Sequence, residues 1–177
     1  LTNELYQKAI KFAGEKHATQ KIPGSEANYL VHISNVAMEI LMAYSAQKNF
    51  NIDLAIQAAI LHDVIEDTDT TYEEVKKNFG GSVADAVLAL TKNVSLPDKR
   101  DQMKDSLSRI NKLSKEVGMV KLADRITNLQ SPPPHWKKEK IQAYHEEAKL
   151  IADTLTEKNT YLMTRLLERI EAYHQYL

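Results

Sequence analysis

Two ligand-type side chains and two further carboxylates crowd into six residues of this chain. His62 and Asp63 are followed by Glu66 and Asp67 in the string Leu61-His62-Asp63-Val64-Ile65-Glu66-Asp67-Thr68. On a helix of about 3.6 residues per turn, His62 would stand above Glu66 and Asp63 above Asp67. The order reads as ligands first, then acid and base. The lead-in over 53–61 is apolar on nearly every face (Leu54, Ala55, Ile56, Ala58, Ala59, Ile60). That is the pattern of a helix at a domain centre, where ionisable groups need partners or a metal.

Other residues of matching chemistry sit on neighbouring apolar helices. His32 borders the core face of an expected helix over 29–44, and Asp124 stands four residues before Asn128 on an otherwise apolar helix. His32, His62, Asp63 and Asp124 could therefore meet from three helices. Two imidazoles and two carboxylates suit Mn²⁺, Fe²⁺ or Zn²⁺ better than Ca²⁺ or a closed structural zinc site; an ordinary buried polar network is the alternative. No histidine lies between Asp63 and Asp124, which favours one ion over two. His17, at the end of the first apolar stripe, reads as a histidine bonded to a neighbour. The five glycines form neither a P-loop nor a dinucleotide fingerprint, so phosphate recognition would fall to side chains. Lys21, Lys121, Arg125, Lys137, Lys138 and Lys140 are the candidates, each of which taken singly reads as a solvated surface cation. No serine has the partners of a triad.

The elements that must position these groups are helical. Apolar residues recur at helical spacing (Leu5, Tyr6, Ala9, Ile10, Ala13; Ile33, Val36, Ala37, Ile40, Leu41) and nothing alternates with period two over a strand's length. The expected fold is all-α, one domain over 1–177 with about eight to ten helices. Asp53 is expected to cap the central helix, Thr71 and Glu74 to form a capping box, and Ser82 to cap the next helix. A helix is expected to restart at Ser95-Leu96-Pro97 and to run to Gly118. Pro132-Pro133-Pro134 reads as a stiff bend, with long helices over 138–155 and 160–176 beyond it.

Composition bounds the rest. The 23 basic residues balance 24 acidic ones, so nothing global points to nucleic acid or an anionic membrane. Cysteine is absent, no apolar run is long enough to span a bilayer, and no signal-peptide pattern opens the sequence; a cytoplasmic address is expected.

Taken together, Tyr29-x-x-His32, Leu61 to Asp69, Phe79-Gly80 with Val83, and Lys121-Leu122-Ala123-Asp124-Arg125-x-x-Asn128-Leu129 resemble the His-Asp superfamily of metal-dependent phosphohydrolases. The resemblance is to the small alarmone hydrolases and to the hydrolase domain of bifunctional stringent-response enzymes. It implies removal of the 3′-pyrophosphate of guanosine tetra- and pentaphosphate. It further implies one metal, Mn²⁺, on His32, His62, Asp63 and Asp124, with Glu66 and Asp67 positioning or deprotonating the attacking water. Asn128, Lys140 and Tyr144 would contact the nucleotide. Family members carry an Arg-Lys pair before the motif histidine; here 21–33 contains Lys21 and no arginine, and an ammonium does not stack on guanine as a guanidinium does. Two other readings stand beside the first: the same chemistry on another nucleotide, such as the 2′-phosphate of NADPH, and a non-catalytic nucleotide-binding module.

Overall fold

Asn51, Thr71, Asp98 and Asn159 each begin a helix by accepting a first-turn N–H through the side chain. A computed structural model of the chain describes residues 2–177, so Leu1, the first residue of the expected domain, lies outside it. The described residues form ten α-helices: α1 (Thr2–Lys16), α2 (Leu30–Ala46), α3 (Ile52–Leu61), α4 (Val64–Asp67), α5 (Tyr72–Phe79), α6 (Gly81–Leu90), α7 (Lys99–Asn111), α8 (Lys115–Asn128), α9 (Lys138–Thr154) and α10 (Thr160–Tyr173). A 3₁₀ turn, His174–Tyr176, follows. No strand forms among them beyond one isolated antiparallel bridge between Lys21 and Asn28. The all-α expectation and its helix number hold.

Several boundaries differ from expectation, for local reasons. Asn51, not Asp53, caps α3, its side chain accepting the Leu54 N–H; Asp53 falls in the first turn and accepts from the Thr2 hydroxyl at 2.5 Å. The Gly80 carbonyl accepts the Ala84 N–H at 3.1 Å, so α6 starts ahead of Ser82. Residues 95–97 are not helical; Asp98 caps α7 by accepting from Arg100 and Asp101, donors that a proline could not supply. The expected run to Gly118 is two helices, and Gly118 lies inside α8. A Cβ there would come within 2.7 Å of the Lys158 stem, so any larger residue would require that stem to shift. The capping box keeps its first half: Thr71 accepts the Glu74 N–H at 3.2 Å.

The core is built around α3, which packs against α1, α2, α6 and α8. Ala55, Ile56, Ala58, Ala59, Ile60 and Leu61 are completely buried. Full burial of side chains such as Ile56 and Leu61 contributes about 1.5–3 kcal/mol each. The α2 and α8 faces that meet α3 are equally apolar (Ile33, Val36, Ile40; Val120, Leu122, Ala123). Three adjacent core helices therefore present the ends and faces that carry His32, His62 and Asp124. No helix among the described residues is long and apolar enough to cross a membrane.

Candidate metal centre and active site

The expectation of one continuous helix through the His-Asp and Glu-Asp pairs fails at a useful place. The α3 ladder ends at Leu61, Asp63 sits at φ −105°, ψ 0°, and the four-residue α4 follows. The break turns His62 and Asp63 into the centre, although the Asp67 N–H still reaches the Asp63 carbonyl at 2.9 Å. His62 Nδ1 donates to the Ala59 carbonyl at 2.7 Å, which fixes the ring and turns Nε2 toward the site. There it faces His32 Nε2 at 3.3 Å.

The carboxylates close around this imidazole pair. Asp124 Oδ1 lies 3.4 Å from His32 Nε2 and 3.8 Å from His62 Nε2, while Asp63 Oδ2 lies 2.9 Å from His62 Nε2 and 3.9 Å from His32 Nε2. His32, His62 and Asp124 each offer one ligand atom, all within 4.8 Å of one another. The three are buried, at 6%, 2% and 7% exposure. Burial opposes the Asp63 charge, but His62 and the Tyr29 hydroxyl hold its carboxyl below the usual range. Burial likewise opposes the Asp124 charge, and Lys121 with both histidines holds it well below that range. For His62, burial favours the neutral ring, yet the Asp63 and Asp124 charges push it up to about 9.

A second ring of contacts orients these groups. Tyr29 donates to Asp63 Oδ2 at 2.5 Å, Lys121 Nζ to Asp124 Oδ2 at 3.1 Å, and Asn128 Nδ2 to Asp124 Oδ1 at 2.6 Å. A fixed imidazole tautomer, two ionised carboxyls and hydrogen-bonded outer partners are what a divalent cation requires. The donor set fits one.

The Glu66-Asp67 pair lies beside the cluster, and its members diverge. Glu66 accepts the main-chain N–H of Lys92 at 2.8 Å and the Lys92 ammonium at 3.3 Å. Asp67 accepts Gln20 Nε2 at 2.8 Å. Partial burial and the Asp63 and Glu66 charges raise the Asp67 carboxyl above its ordinary range. Burial opposes the charge on Lys92, and the Glu66, Glu147 and Asp124 carboxylates outweigh it, so its pKa is raised.

The expected substrate groups are spread more widely. Asn128 is exposed apart from its bond to Asp124. Lys140 holds its ammonium 4.1 Å from the centre of the Trp136 ring, which meets Tyr144 edge-on at 5.1 Å. Arg125 covers the other side of Tyr144, 4.3 Å from its centroid, and donates to Glu147. Burial raises the Tyr144 hydroxyl to about 12. Lys21 pairs with Glu26 in its own loop. Gly24 in that loop has φ +78° and abuts Pro133, so the loop touches the proline bend. Arg125 and Lys121, read singly as surface cations, are buried at 3% and 7% exposure, each tied to a carboxylate. His17 is bonded to its neighbour Gln20, Nδ1 to Oε1, at 2.6 Å.

Gln20 and Lys92 went unnoticed in the sequence, and Tyr29 figures there only as part of the Tyr29-x-x-His32 motif, with no role of its own. Tyr29 carried a signal, since it stands one helical turn before His32 and shares its side. Lys92 carried none: 26 residues separate it from Glu66.

A bundle of helices whose buried His-His-Asp centre is flanked by an acidic pair defines a class of helical metal-centre protein. This chain belongs to the HD domain family, which matches residues 9–158. It is 33% identical over 162 residues to guanosine-3′,5′-bis(diphosphate) 3′-pyrophosphohydrolase MESH1 of Danio rerio, covering 89% of this chain and 87% of that protein. The guanosine-3′,5′-bis(diphosphate) 3′-pyrophosphohydrolase of Aquifex aeolicus is 38% identical over 130 residues, 72% of this chain and 18% of its own length. A solved structure of a metazoan ortholog of SpoT that hydrolyzes ppGpp superposes with a TM-score of 0.81 at 29% identity, covering 95% of this chain and 94% of that one.

Proposed function

We propose that this chain is a metal-dependent phosphohydrolase that removes the 3′-pyrophosphate of guanosine 3′,5′-bis(diphosphate), giving GDP from the tetraphosphate, GTP from the pentaphosphate, and pyrophosphate. The observation that carries the reading is the convergence of His32, His62 and Asp124 within 4.8 Å beside a Glu-Asp pair. The names of the relatives support it. His32, His62, Asp63 and Asp124 would hold one ion; their mixed imidazole and carboxylate set suits Mn²⁺, Fe²⁺ or Zn²⁺, and Mn²⁺ is our choice because the family resemblance implies it. When bound, the ion lowers the pKa of water and polarises a phosphoryl oxygen.

The chain's own groups do the remainder. Asp67, raised in pKa and oriented by Gln20, takes the proton from the attacking water. Glu66, held by the Lys92 main chain, positions that water. The water attacks the phosphorus bonded to the 3′ oxygen, the P–O3′ bond breaks, and the 3′ oxygen leaves as the ribose hydroxyl by taking up the proton that Asp67 received. Asn128, free on its outer side, contacts the nucleotide, with Lys140 and Tyr144 on the α9 wall and Lys21 on the rim. The reading includes one domain over 1–177 and a cytoplasmic address.

Hydrolysis of another nucleotide is the second reading, favoured by one observation. Lys21 is paired with Glu26, and 21–33 offers no guanidinium to stack on guanine. A panel of guanosine tetraphosphate, NADPH and deoxynucleotides, run with Mn²⁺-loaded protein, separates the two. Pyrophosphate release from the alarmone is expected; its absence, with orthophosphate released from NADPH, replaces the first reading by the second.

A further inference from the structure

We infer that Lys92 is a phosphate ligand of this site, carried by a rigid turn whose main chain separately holds Glu66. The inference rests on reading the site as a phosphohydrolase centre and adds to it the cation that receives the substrate's phosphate.

The turn after α6 is pinned from two directions. Thr91 donates to the Val87 carbonyl through both its N–H, at 3.0 Å, and its hydroxyl, at 2.8 Å. Arg109 donates to the Leu88 and Thr91 carbonyls at 2.5 and 2.8 Å and is itself held by Asp105 at 2.8 Å. The Lys92 amide is thereby aimed at Glu66 Oε2, at 2.8 Å. Its ammonium reaches Oε1 only at 3.3 Å, longer than the roughly 2.7–2.9 Å of a well-made ammonium–carboxylate bond. The main chain therefore keeps Glu66 in place when the ammonium turns to another anion.

The site needs such a group. Asp63, Glu66, Asp67 and Asp124 gather around it, and a polyphosphate entering among them meets like charge. Lys121 is 7% exposed and bound to Asp124; Arg125 is 3% exposed and bound to Glu147. Lys21 is paired with Glu26, and Lys140 lies over Trp136. Lys92 meets Glu66 of the acidic pair directly, and with a side chain 36% exposed it is not sealed in the core as Lys121 and Arg125 are. A compact ammonium on a flexible stem suits the tetrahedral oxygens of a phosphate or diphosphate group.

The test is calorimetric titration of inorganic pyrophosphate into the full chain in a fixed excess of Mn²⁺, comparing the native protein with Lys92→Gln and Lys92→Arg. Both variants keep the main-chain bond to Glu66. Lys92→Gln is expected to weaken pyrophosphate about tenfold or more with manganese content and melting temperature unchanged, and Lys92→Arg to restore most of the affinity. With the alarmone, Lys92→Gln should raise KM more than it lowers kcat. Equal affinity in native and Lys92→Gln protein, or no pyrophosphate binding by the native chain, overturns the inference. Failure of the native protein to hydrolyse the alarmone would instead remove the proposed substrate, leaving the titration to decide the role of Lys92.

Discussion

Glu66 and Asp67 are adjacent in the chain and bonded in opposite directions: Glu66 to the main chain of Lys92 at 2.8 Å, Asp67 to the side chain of Gln20 at 2.8 Å. One carboxylate is anchored to a turn between helices, and the other stands at the rim with a raised pKa. In the proposed mechanism the pair divides accordingly into a positioning group and a proton acceptor.

Their amide variants should differ accordingly. Asp67→Asn removes the acceptor and should lower kcat by about 10²–10⁴. Glu66→Gln keeps an oxygen for the Lys92 N–H and should lose less. Single-turnover rates on metal-loaded protein check this, with metal content measured alongside; equal losses in the two variants would contradict the division.

Tyr29→Phe removes one hydroxyl, the donor to Asp63 Oδ2, while the ring keeps its place between His17 and His32, with centroids 5.2 and 5.0 Å away. Loss of such an outer-ring bond costs about 10–100-fold in metal affinity or activity. Competition with a chelator should show the loss of affinity, with the circular dichroism of the helices unchanged.

The pH dependence follows from His62, held at about 9. In metal-free protein a pKa raised above the unfolded value contributes stability that is complete below about 6.5 and is lost as pH rises through about 9. Metal binding has the opposite sign, because Nε2 must shed its proton to ligate. From pH 7 to 9.5 the melting temperature without metal should fall while the increment produced by Mn²⁺ grows. A metal increment that shrinks with pH would exclude His62 as a ligand.

Far from the centre, Glu39 on α2 is 3% exposed and takes both a guanidinium Nε bond, at 2.9 Å, and an Nη2 bond from Arg165 on α10. Arg165→Met leaves that carboxylate buried and alone. With the arginine side chain 31% exposed the full cost of breaking a buried pair does not apply, and a loss of about 2 kcal/mol is expected. Urea unfolding measures it, and adding Glu39→Gln should recover part of the loss.

What could be read from the order of residues was whatever repeats locally. Helical period exposed the core faces of α2, α3 and α8, and with them that His32, His62 and Asp124 belong to buried helices; the fold brings their ligand atoms within 4.8 Å. Turn chemistry was legible where one residue suffices, as at Thr71, and misread where two compete, as with Asn51 and Asp53 or Ser95 and Asp98. Only the folded chain decided that α3 breaks at His62 and Asp63, because a break there depends on what those side chains meet across the core. It also decided that Lys121 and Arg125 are buried and that Lys92 meets Glu66. Periodicity records which face of a helix avoids water; it carries no information about which distant turn a carboxylate will meet, since that contact is made only when α6 and α7 lock their connecting turn against α4.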